Sequence, residues 1–114
     1  MEQVSWNDFQ KIDLRVGTIL KAFEFPEARK PAYILHIDFG PLLGIKKSSA
    51  QITERYSLEQ LIGKQVVAVV NFAPKQIGPV MSECLVTGFH TESGVVLVTP
   101  DDRAGPVPNG SKLA

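Results

Sequence analysis

The chain has 114 residues, 12 lysines and arginines against 12 acids, 44% hydrophobic and 21% charged. Such a composition suits one globular domain over 1–114 and excludes disorder, which needs few apolar residues and a large net charge; zero net charge also excludes capture of nucleic acid by bulk attraction and leaves only a local patch. The apolar runs fall far short of the roughly 20 residues of a membrane helix, the start Met1-Glu2-Gln3-Val4-Ser5 has no secretory pattern, and the lone Cys84 cannot make an internal disulfide, so a cytoplasmic location is expected.

Ser5-Trp6-Asn7-Asp8 sets an N-cap serine three residues before an acid and predicts a short helix near 6–11. A strand follows from about Asp13 to Phe25. Leu14 and Val16 share one face, whereas Ile19, Phe23 and Phe25 set another phase. The slip near Gly17-Thr18 fits either a β-bulge or two short strands with an irregular joint. Residues 26–31 read as a loop between two prolines. Tyr33, Leu35, Ile37 and Phe39 then alternate with Ile34, His36 and Asp38, the mark of a half-buried strand. Gly40-Pro41 predicts a turn, and a third strand covers about Gly44 to Ile52. Ser57-Leu58-Glu59-Gln60 matches the capping box of a short helix, which Gly63 ends.

Lys64 to Phe72 is the fourth strand and is apolar on both faces, so its second face needs cover from the C-terminal segment or from a second chain. Ser82 to Phe89 reads as a fifth strand. A turn at 91–94 leads into an added strand with Val95, Val96 and Val98, and then a Pro/Gly-rich tail in which Asp101-Asp102 is a solvated pair. A bent first strand, two more strands, a capped helix and further strands give an all-β class: a five-stranded OB-fold barrel with short helices and extra C-terminal strands. An SH3-like barrel and a β-sandwich are the structural competitors.

No phosphate loop, nucleophile motif or metal-ligand spacing is present, so neither an enzyme nor a cofactor is expected. His36 and His90 read as surface or rim residues and Cys84 as a small core residue. Between Gly44 and Pro79, Lys46, Lys47, Arg55, Lys64 and Lys75 face only Glu54 and Glu59, a local charge of +3, which fits either a phosphate-binding patch or scattered solubilising lysines. The stretch from Asn71 to Glu83 holds Phe72, Ile77 and Met81 among prolines with Lys75. It suits either an adaptable surface for extended peptide or ordinary core packing.

Asp13-Leu14-Arg15-Val16-Gly17-Thr18-Ile19 resembles the D-x-R-V-G-x-I opening of the tRNA-binding OB-domain family, and Ser82-Glu83 resembles the S-E pair late in that module. Residues 43–53 and 81–86 resemble more narrowly its CsaA branch of small export-related chaperones. Departures are Cys84-Leu85 where the tRNA-binding relatives carry Gly-Met, and Pro41-Leu42-Leu43 in place of a more polar loop. The resemblance implies a homodimer that binds unfolded preproteins for Sec-dependent export, with the SecA motor as partner, and shared tRNA binding. Expected peptide contacts are Phe72, Ile77, Met81 and Lys75. Expected RNA contacts are Arg15, Lys46, Lys47, Asn71, Lys75, Ser82 and Glu83.

Overall fold

The computed structural model describes residues 1–114. Ser5 caps α1 (Trp6–Gln10), its hydroxyl accepting the Asp8 N–H at 3.0 Å. The strands are β1 (Leu14–Glu24), β2 (Tyr33–Asp38), β3 (Ile45–Ala50), β4 (Gln65–Val69), β5 (Lys75–Ile77), β6 (Val80–Ser82), β7 (Leu85–Val86), β8 (Gly88–Thr91) and β9 (Gly94–Leu97), with α2 (Leu58–Leu61) between β3 and β4. The main sheet runs β3-β2-β1-β4-β7 with every pairing antiparallel, while β5–β6 and β8–β9 form separate hairpins. This nearly closed five-stranded barrel, with its short helix between the third and fourth strands, is an OB-type arrangement. The capping box of α2 is formed from both sides, and Gly63 beyond it takes the left-handed geometry the sequence required, φ 83°.

The bulge lies two residues beyond the expected Gly17-Thr18 step. Ile19 pairs with Ile37 but Lys21 pairs with His36, so Leu20 is the extra residue. Before the bulge Ile19 points inward. After it Ala22 stands beside the buried Leu35, and Lys21 and Phe23 turn outward with His36 and Ile34. Gly17 has a different task from the one its position suggested. A Cβ there would sit 2.6 Å from Ile37 Cγ2 and 2.7 Å from the Phe39 ring, so the missing side chain lets two core residues close against the β1 backbone.

Ile19, Leu35, Ile37, Phe39, Leu61, Val66 and Ala68 form the centre of the core. The other face of β4, Val67 and Val69, is also buried within the single chain. Of the two expected sources of cover, the returning C-terminal segment is the one present. The Val67 N–H donates to Val98 O, Val16 exchanges backbone bonds with Gly110 and Ser111, and the Leu113 N–H donates to Leu14 O. Asn109 accepts from Thr18 Oγ1 at 2.8 Å and from Gln65 Nε2 at 3.2 Å. The tail is thus an integral edge of β1, although Asp101 and Asp102 are exposed as expected.

The expected fifth strand over 82–89 is instead three pieces, β6, β7 and β8, because residues 82–84 leave the ladder to close the barrel against β3. Adding a methyl to the tightest inward position tests the packing. Gly17→Ala should lower unfolding free energy by about 1–3 kcal/mol, the usual cost of overpacking, as read from the urea midpoint at unchanged slope.

Candidate functional site

In OB barrels ligands meet the outer face of the second and third strands and the loops beside it. Here those loops are residues 26–31 and the stretch from Val70 to Cys84, which carries the β5–β6 hairpin. They flank an open groove of about 390 Å³ lined by Ser49, Gln51, Phe72, Ala73, Lys75, Ile77, Ser82, Glu83, Cys84 and Leu85. That volume lies within the usual range for ligand sites. A second, more polar recess of about 450 Å³ continues from it past Ser49, Gln51, Lys75 and Ile77 to Arg29 and Lys30. The result is a trough, apolar at the Phe72–Leu85 end and cationic at the other. Phe72 and Leu85 are each about half exposed, at 52% and 50%.

Backbone alternation decides which hairpin residues reach the trough. Lys75 pairs with Ser82 and Ile77 with Val80, while Gln76 pairs with Met81. Met81 therefore points to the opposite face of the hairpin from Ile77, and the expected cluster of Phe72, Ile77 and Met81 is assembled only as Phe72 with Ile77. Leu85, part of the Cys84-Leu85 departure from the family pattern and not among the expected contacts, takes the third apolar place.

Ser82 and Glu83 form the barrel seam. The Ser49 N–H donates to Ser82 Oγ and the Lys47 N–H to Glu83 Oε1, both at 3.0 Å. The Glu83 N–H donates back to Lys47 O at 2.8 Å, and the fully buried Ser48 hydroxyl donates to Cys84 O at 3.1 Å. Side-chain oxygens thus satisfy β3 amides that a longer partner strand would otherwise bind. Burial pushes the Cys84 thiol up to about 11.

The other expected RNA contacts are dispersed. The half-buried Arg15 guanidinium bonds Asp13 Oδ1 at 2.6 Å and Gly110 O at 3.0 Å, which ties the C-terminal segment to β1. The Asn71 side chain accepts the Asp13 N–H and donates to Lys11 O, joining the end of β4 to the residues after α1. Lys46 shares the face of Ser48 and Ala50, whereas Lys47 lies exposed on the outer face. Sequence reading missed Lys21, Phe23 and His36 beside Lys47, and Arg29 and Lys30 on the loop. The loop charges were visible in the sequence, but the outward turn of Lys21 and Phe23 depends on the bulge at Leu20.

Comparison with known proteins fits this geometry. Residues 14–111 match the family described as a putative tRNA binding domain. The chain belongs to that family. It is 36% identical over 112 residues to the methionine–tRNA ligase of Flavobacterium psychrophilum, with 98% of this chain aligned but only 16% of the ligase. The likeness therefore reaches one domain of that enzyme, about a sixth of its length. Two solved structures match along essentially the whole chain. The chaperone CsaA of Bacillus anthracis is 50% identical with a TM-score of 0.90, over 99% of this chain and 100% of the other. The CsaA chaperone protein of Picrophilus torridus is 51% identical with a TM-score of 0.91, over 98% and 100%. The chain is thus placed in the CsaA-like branch of the tRNA-binding family.

The buried thiol gives a pH signature. A thiol raised by burial contributes stability that is complete below its unfolded value and is lost as pH rises through about 11. Wild type should lose more stability than Cys84→Ala between neutral pH and that value in parallel urea titrations, and a thiol reagent at neutral pH should label the folded chain far more slowly than the unfolded chain.

Proposed function

We propose that this chain is a non-enzymatic chaperone that holds extended, unfolded segments of preproteins in the trough and passes them to Sec-dependent export, with the SecA motor as its partner in the cytoplasm. The observation that carries this reading is the exposed apolar end of the trough, where Phe72, Ile77 and Leu85 surround open space beside the Lys75 rim. Apolar side chains held on a hairpin offer about 25 cal/mol of favourable burial per Å² covered. An unfolded segment supplies both the apolar residues and the extended backbone to fill the space. Removing such segments from the unfolded pool shifts the client's equilibrium by mass action and needs no fuel. Support also comes from the full-length likeness to two proteins described as CsaA chaperones. No helix is long and apolar enough to cross a membrane.

A homodimer is part of the same proposal. Exposed apolar side chains such as Leu42 at 97%, Phe89 at 65% and Trp6 at 62% support it, whereas β4 needs no second copy to cover it. Sedimentation velocity at micromolar concentration should show a two-subunit species.

A second reading, binding of tRNA or other RNA, is favoured by the family match and by the cations Lys21, Lys47, Arg29, Lys30 and Lys75 around the outer face of β1–β3. It places the ligand on the sheet rather than in the apolar end of the trough.

Substitution separates contributors from neighbours. Phe72→Ala with Ile77→Ala should weaken binding of a denatured preprotein at least about tenfold, ~1.4 kcal/mol, with melting and oligomeric state unchanged. Met81→Ala, on the opposite face of the hairpin, should bind as wild type does. Equal binding by all three proteins in an anisotropy titration would place the client elsewhere.

A further inference from the structure

The bulge at Leu20 brings three nitrogen-bearing side chains into one row. Register pairs Lys21 of β1 with His36 of β2, and His36 with Lys47 of β3, all on the outer face. With neighbouring strands ~4.8 Å apart, the row spans roughly 10 Å. The adjacent row is Phe23, Ile34 and Ser49. Phe23 is 44% exposed and meets the His36 ring edge-on at a centroid distance of 5.2 Å, the diagonal contact expected for these register positions.

We propose that the Lys21–His36–Lys47 row is a phosphodiester site for single-stranded RNA, with the Phe23 ring as the platform for an adjoining base. The inference rests on the RNA reading above. The chemistry favours a nucleic acid over an acidic polypeptide because cations and an open aromatic face alternate over one register step. A single strand likewise presents a phosphate and a planar base at each step, and a base stacks on an aromatic ring whatever its identity. A carboxylate-rich peptide would neutralise the row and leave Phe23 without a partner.

His36 makes the site proton-linked. In the free chain, burial lowers its pKa below the ordinary 6.5, and Lys47 and Lys21 lower it further. The charged groups around it are Lys21 from β1, Lys47 from β3 and Asp38 two residues along its own strand, whose carboxylate already accepts the Gly40 N–H. Glu83, from the segment joining β6 to β7, accepts the Lys47 N–H through Oε1. A phosphate between the lysines offsets their repulsion and raises the histidine's proton affinity. The complex therefore holds more protons than the free chain, and affinity increases as pH falls.

The test is anisotropy of a fluorescein-labelled uridine decamer with the full chain, at about pH 8 and about pH 5.5 and at two salt concentrations. Wild type should bind more tightly at the lower pH, and His36→Gln should flatten that difference. Lys21→Gln with Lys47→Gln should reduce the salt slope by about 1.4, two contacts at ~0.7 each for single strands. Phe23→Leu, which keeps apolar bulk, should lose about tenfold. Unchanged thermal melting and unchanged preprotein binding in each variant separate these effects from misfolding. Tight binding by wild type with none of the variants altered overturns this site and leaves the RNA reading standing. No binding by wild type even at low salt overturns both. Polyglutamate that competes with the decamer and shows the same dependence on the three substitutions overturns the nucleic-acid assignment.

Discussion

The barrel depends on its seam. β3 presents amides along an edge, and β7, two residues long, is too short to pair with it in a regular ladder. Unmet edge amides invite pairing with other chains, and buried ones cost about 1–3 kcal/mol each. Ser82 Oγ and Glu83 Oε1 act as substitute carbonyls at 3.0 Å, and the Ser48 hydroxyl answers from β3 as a substitute amide, donating to Cys84 O. Because Ser82 ends β6, this closure also fixes the β5–β6 hairpin against β3. The trough exists where the hairpin is so held. Ser82 and Glu83 therefore position Ile77 and Lys75 beside the trough, each accepting one β3 amide within the fold.

A second constraint sets the outer face. The extra residue at Leu20 reverses which side chains of β1 look outward, so Lys21 and Phe23 join His36, Ile34, Lys47 and Ser49 on one surface. Ser49 also lines the trough, and Lys47 is two residues before it. The apolar trough and the cationic row thus share β3 and meet at its outer edge. A strand has only one outward side chain in every two residues, so this economy sets the trough and the cationic row about 7 Å apart along the strand.

Much of this was legible in the residues. Caps at Ser5 and Ser57, the alternation from Tyr33 to Phe39 and the left-handed Gly63 are local signals, and local signals decide those elements. For the bulge, Gly17 offers a plausible break, whereas Leu20 carries no mark of being extra. Only the pairing with β2 decides it. Ser82 to Phe89 contains no Gly or Pro before Gly88, so nothing local announces that the ladder stops at 82–84. The stop arises from contact with β3. The same holds for Met81, whose orientation depends on where the hairpin turns. The C-terminal residues look like a polar tail until Thr18 and Gln65 are seen to hold Asn109. Arg15 and Asn71 illustrate the converse: a cation and an amide that suit nucleic acid by type are spent holding the chain's own backbone.

The charge balance decides what kind of binding the two surfaces can support. With 12 cations and 12 anions, little long-range field draws a ligand in, and at physiological salt a Debye length of about 8 Å leaves only neighbouring charges in play. Selection must then occur at contact, through apolar cover in the trough and through the few cations grouped on the outer face. An exposed charge pair is worth about 0–1 kcal/mol and a buried apolar side chain about 1.5–3 kcal/mol, so each contact is made and released readily. The carrier role proposed above requires that property, and a strongly basic barrel of the same shape would lose it by retaining every polyanion it met.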